Sequence, residues 1–188
     1  RIEVMKNNTR SNNRKIQETA MLNFYGIKLG SGIALSSGGI SNVGFVRIEG
    51  TSSSAPLNMS QLVVYDEKGQ NVSKKRPTQS SGSPYGPPGS GTRGASEEMA
   101  NDGDERPRAH PYEFHGKGQS DFWQVQLDKP TKVTSVVVYN RSDCCGDRMG
   151  SGYVIKLFSS QPNTVLLWTS DPLNDSQVQR IMVPGGKV

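Results

Sequence analysis

An all-β fold, an antiparallel sandwich or jelly roll preceded by an extended N-terminal arm, is what this sequence predicts, and three observations predict it. From Gly44 onward, short runs of β-type residues alternate with turn clusters. The 188 residues include 21 Gly and 11 Pro, which favour turns and strands over long helices. Only Ile16 to Leu29 offers a stretch of helical character, and no run approaches the roughly 20 apolar residues that a bilayer-spanning helix needs.

Taken in order, residues 1–20 are rich in Asn, Arg, Lys and Thr, with isolated apolar residues and no sustained period. Such a segment reads as an extended arm ordered by a partner. Met21 to Ser41 mixes apolar residues with five glycines and suits a hairpin or a wandering strand. We therefore expect an arm over residues 1–43 and a β-sandwich over residues 44–188. The expected strands are Phe45 to Glu49, Gln61 to Asp66, Trp123 to Leu127, Val133 to Tyr139, Tyr153 to Phe158, Val165 to Trp168 and Val178 to Val183. Asp66 to Gly69 and Leu127 to Pro130 read as turns between neighbours, and Ser80 to Gly94 as a long Gly/Pro/Ser-rich loop of the sandwich.

The formal net charge of +5 belongs to one end of the chain. Residues 1–49 carry seven Lys/Arg and three Asp/Glu, whereas residues 50–188 carry fifteen and fourteen. A duplex-binding face needs Lys/Arg clustered on the folded part, so nucleic acid is not an expected partner.

Polar chemistry is concentrated in Asn140-Arg141-Ser142-Asp143-Cys144-Cys145-Gly146-Asp147-Arg148, directly after the apolar run Val133 to Tyr139. A loop held by a rigid strand is a usual place for recognition groups. Cys144 and Cys145 are the only cysteines, and being adjacent they cannot staple distant elements. They are either two reduced thiols or, when oxidised, a vicinal ring or an interchain bridge. Zinc is excluded at this pair because no second Cys/His pair stands at ligand spacing. Arg141, Asp143, Asp147 and Arg148 read either as recognition groups or as a salt-bridge network that holds the loop. His115, judged from its surroundings alone, reads as an exposed loop residue.

The pieces Leu57 to Tyr65, Asn71-Val72, Pro77 to Ser81, Ala100 to Asp104, Phe122 to Leu127 and Asn140 to Cys145 occur in an order that resembles the discoidin, or coagulation-factor type C, family. Arg141-x-Asp143 followed by Arg148, with Cys144-Cys145 between, is similar to the signature of the fucose-binding F-type lectins. The resemblance covers roughly residues 44–184 and implies an eight-stranded antiparallel jelly roll, usually non-catalytic, that binds glycans or lipids with loops at one end. It implies that Arg141 and Arg148 donate to sugar hydroxyls, that Cys144-Cys145 forms a vicinal disulfide against the sugar's apolar face, and that Asp143 orients an arginine. His115 takes the histidine's place, one position further from Arg141 than the lectin spacing. The resemblance further implies one structural Ca²⁺ held in part by Asp102 and Asp104, although an Asn that precedes this motif in many members is Met99 here. Read without it, Asp102-Gly103-Asp104 is a turn with solvated acids.

Against an enzyme stand two histidines only, no phosphate-cradling loop and no dinucleotide fingerprint. Two non-catalytic classes remain. In the favoured one the sandwich is a structural part of a virion or other surface assembly, for example a minor capsid protein of a large DNA virus, with residual glycan binding and with arm 1–43 reaching neighbouring protein subunits. This rests on the resemblance of the Arg-x-Asp-Cys-Cys loop to discoidin-like segments of such proteins. The alternative is a calcium-dependent, extracellular lectin that takes fucosylated glycans. Asn7, Asn58, Asn71, Asn140 and Asn174 each begin an Asn-x-Ser/Thr triplet, and a glycan on Asn140 would crowd the candidate loop.

Overall fold

A computed structural model of the chain describes residues 38–81, 96–108, 114–116, 121–160 and 164–185. Residues 1–37 of the expected arm 1–43, including the helical stretch 16–29, lie outside the described residues, as do residues 82–94 of the expected loop 80–94.

Nine antiparallel strands carry the described part: β1 (Ile40–Glu49), β2 (Asn58–Met59), β3 (Gln61–Asp66), β4 (Thr78–Ser80), β5 (Phe114–His115), β6 (Phe122–Tyr139), β7 (Val154–Ser159), β8 (Leu166–Thr169) and β9 (Val178–Met182). β1 begins at Ile40, so the sandwich takes in residues 40–43 that the sequence assigned to the arm. Seven strands form one continuous sheet, and β2 pairs with β5 in a separate ribbon.

The long strand β6 shapes the sandwich. Its first part pairs with β1 and β4, from Glu49 opposite Phe122 to Phe45 opposite Gln126. Its last part pairs with β3 on one side and β9 on the other, with Val63 and Arg180 flanking Val137. With β7 beside β1 and β8 beside β7, one layer reads β4-β6-β1-β7-β8 and the other β3-β6-β9. β6 thus fills a place in both layers. Leu127 to Pro130, expected as a turn between two strands, is instead the passage inside β6 where the register with β1 shifts. Pro130 has no N–H to give a ladder, and Asp128, Lys129 and Pro130 are exposed there.

Alternation places the core between the layers. Val46 and Ile48 of β1, Ile155 and Leu157 of β7, and Trp123 and Val125 of β6 meet Leu62 and Val64 of β3 and Val136 and Val138 of β6, all fully buried. On the outer face Arg47 stacks on Phe122 and Phe158, 4.5 and 5.0 Å from the ring centroids. β1 bulges where its register with both neighbours shifts between Val43 and Phe45. Gly44 is needed in that bulge, because a Cβ there would fall 2.5 Å from the Ser160 Cα.

Two buried rings anchor the loops at one end. The Trp123 indole donates to the Glu97 carbonyl (2.9 Å) and holds the short 3-10 helix Glu97–Asn101 against the core. The Tyr153 hydroxyl donates to the Ala55 carbonyl (2.6 Å), and burial pushes its ionisation upward.

Candidate functional site

The loop after β6 starts from Asn140, which is 1 % exposed and bonds through all four of its polar atoms as a corner post. Its N–H donates to the Gln177 carbonyl (2.8 Å) and its Nδ2 to the Gly146 carbonyl (2.8 Å); its Oδ1 accepts from the Arg141 N–H (2.8 Å) and its carbonyl from the Ser60 hydroxyl (2.9 Å). An amide so engaged closes the ends of the loop on each other. It also leaves no room for a glycan on Asn140 in the folded chain.

Arg141 turns back on its own loop. Its Nε bonds Asp143 Oδ1 and its Nη2 bonds Oδ2 at 3.0 Å, a bidentate fork that fixes the guanidinium plane. The Arg141 hydrogen bonds, aided by its charge and by the Cys144 N–H, hold the Asp143 carboxyl at about 2. Cys144 is exposed and Cys145 half-buried, and both are free thiols. The Cys145 thiol beside it pushes the Cys144 thiol upward. Cys145 takes the left-handed conformation (φ 58°) as the chain enters the short 3-10 helix Gly146–Ser151.

Arg148 rides on that helix and reaches out of the loop. Its Nη1 lies 3.3 Å from His115 Nε2 and, with the Asn58 amide turned to satisfy both neighbours, 2.9 Å from the Asn58 oxygen; the Asn58 nitrogen is 3.0 Å from His115 Nε2. Two donors converge on Nε2, which assigns that nitrogen as the acceptor. His115 is 8 % exposed on β5, with Asn58 directly opposite on β2. The sequence reading of His115 as an exposed loop residue is therefore corrected: a two-residue ribbon buries it beside Arg148. Within this loop Arg141 pairs with Asp143, whereas Arg148 lies against Asn58 and His115.

Asp102 and Asp104 lie on a neighbouring loop. Gly103 between them has φ 97°, and the Asp104 N–H donates to Asp102 Oδ1 at 2.8 Å. Arg108 places Nη2 2.9 Å from Asp102 Oδ2 and Nη1 3.4 Å from Asp104 Oδ2, while Arg106 grips both oxygens of Asp104 at 2.7 Å. Lys74 crosses the turn so closely that a Cβ on Gly103 would fall 2.3 Å from its Cε. A hard cation wants carboxylate oxygens turned towards it and no neighbouring cations. Both carboxylates that the sequence reading gave to Ca²⁺ are paired with arginines, Asp102 with Arg108 and Asp104 with Arg106 and Arg108. Among the described residues no group of three His, Cys, Asp or Glu converges as a ligand set.

The two loops meet at Ser60. Its Oγ accepts from the Arg108 N–H (2.7 Å) and lies 3.0 Å from the Arg108 carbonyl, which in turn accepts from the Ser142 N–H (3.2 Å). Asn58, Ser60, Arg108 and Gln177 are the site residues that sequence reasoning missed. Asn58 and Ser60 stood inside a quoted fold motif; nothing local distinguishes a side chain that bonds across the fold.

Residues 99–187 match the family described as the NedA-like, galactose-binding domain. Among curated proteins, Fucolectin-6 of Anguilla japonica is 38% identical over 50 residues, covering 23% of this chain and 27% of that protein. Fucolectin-3 of the same organism is 37% identical over 41 residues, covering 22% and 23%. The chain thus spans about a quarter of the length of the curated relatives it matches. No solved structure gives a significant match.

Proposed function

We propose that the chain is a discoidin-like protein near the F-type lectin branch, a non-catalytic carbohydrate-binding module whose ligand docks on the loop Asn140 to Arg148. The observation that carries this reading is the juxtaposition of Asn58, His115 and Arg148. A guanidinium fixed through Nη1 to two largely neutral partners presents its fork in one orientation, which is what recognition of paired hydroxyls requires. Arg141, its plane set by Asp143, is the second donor. Oxidation of the neighbouring Cys144 and Cys145 thiols to a vicinal disulfide, with an external disulfide reduced in exchange, would give the loop a compact apolar edge against a sugar's C–H face.

Catalysis finds no support in the same geometry. His115 Nε2 faces Asn58 and Arg148 and no thiol. The assembly reading drew on residues 1–43 and on the likeness of the Arg-x-Asp-Cys-Cys loop to viral segments, and the matched lectins favour a binding module over it. No helix among the described residues is long and apolar enough to cross a membrane.

Calorimetric titration of the purified chain with fucosylated and galactosylated oligosaccharides tests the proposal. Saturable heat is expected, weakened about tenfold to a hundredfold in Arg148→Met, the loss that removal of a charged hydrogen-bond donor brings. A folded protein that gives no heat with either sugar class would sink it.

A further inference from the structure

Arg108 is set apart from the other arginines of its loop by depth. Its side chain is 15% exposed, against 77% for Arg106, and it faces the carboxylates of both Asp102 and Asp104. Its main chain is equally committed: the N–H donates to Ser60 Oγ at 2.7 Å and the carbonyl accepts from Ser142, the residue after Arg141, at 3.2 Å. Arg108 therefore touches the Asp102–Asp104 turn with its side chain and the recognition loop with its backbone.

We propose that Arg108 is a built-in cation. Its guanidinium supplies the positive charge between two carboxylates that an Asp-Gly-Asp turn elsewhere draws from a metal ion, and it holds the turn and the Arg141 loop in register without calcium. The inference goes beyond sugar recognition and stands whether or not a sugar binds. Three features of the site support it. Each Asp has an arginine within hydrogen-bond distance. Arg106 covers Asp104 from the solvent side and Arg108 from the inner side, so the two positive and two negative charges of the turn balance. Lys74 lies across Gly103, where an incoming divalent ion would meet a further positive charge.

Thermal unfolding of the full chain in EDTA and in millimolar Ca²⁺ tests this, with terbium luminescence as a direct probe of the turn. The wild-type midpoint should be the same in both buffers and terbium should stay dark. Arg108→Met should melt several degrees lower in EDTA, recover part of the loss in Ca²⁺ and bind terbium, because Asp102 and the inner side of Asp104 are then open to a cation. Arg108→Lys, which keeps charge and loses the fork, should fall between. Arg106→Met, removing only the outer arginine, should shift the midpoint least. A wild-type midpoint raised by Ca²⁺ overturns the proposal. So does an Arg108→Met protein that melts like wild type, or one that is destabilised yet indifferent to Ca²⁺ and terbium. If Arg108→Met does not fold, the wild-type and Arg108→Lys comparisons still decide.

Discussion

Two arginine-bearing loops share the Ser60 corner, and they use their charge in opposite ways. In the loop Asp102 to Arg108 every arginine faces a carboxylate, and the charges close on themselves. In the loop Asn140 to Arg148 only Arg141 does so; Arg148 reaches away to an amide and an imidazole. A self-neutralised loop is a structural clamp. A cation held by neutral partners keeps its charge for something else, and this contrast is why we assign recognition to the second loop and support to the first.

The largest effect should come from breaking what both loops depend on. Asn140→Ala removes a donor and an acceptor that are fully buried, leaving the Gly146 carbonyl and the Arg141 N–H without them. It should cost about 2–6 kcal/mol in urea unfolding, at about 1–3 for each of the two groups left without a partner, and abolish sugar binding with it. Arg148→Met should separate the loops more sharply, removing about 1.5–3 kcal/mol of binding free energy at a smaller cost in stability, about 1 kcal/mol, from the Asn58 oxygen that loses its donor. Ser60→Ala, which loosens the joint between them, should cost about 1–2 kcal/mol of stability and a smaller part of the affinity, read by the same two assays.

The smallest effect is electrostatic and sets a pH window. The Asp143 carboxyl is lowered in the folded state, so its contribution to stability is present above its unfolded value near 4 and is lost as the pH falls towards about 2. Because Asp143 is exposed, the change in stability should be small and weakened by salt. An NMR titration of its carboxyl carbon should nevertheless show the depressed midpoint, and Arg141→Ala should return it towards the ordinary range.

Short β-type runs bounded by turn clusters were legible in the sequence: β3, β7 and β9 lie within a residue of where those runs put them. Pairing of two or three residues has no period to read, which is why β2, β4 and β5 were missed and why His115 was placed on the surface. The continuity of β6 through Pro130 was hidden for a related reason. Proline marks a break in a ladder, yet a strand that moves from one layer to the other needs just such an unpaired stretch. The proposed recognition loop was visible as a cluster of chemistry after a strand, but its inner partners Asn58, Ser60 and Gln177 come from distant segments and became visible only when the fold brought them together.

The single long strand also sets a timetable for synthesis. β1 leaves the ribosome early, yet both of its neighbours, β6 and β7, are encoded in the second half of the described chain. Until Phe122–Tyr139 emerges, β1, β3 and β4 present open edges, the condition in which chains pair with one another. Folding should therefore be slow and nearly all-or-none, and slowing translation just before codon 122 should raise aggregation more than a pause placed after codon 159.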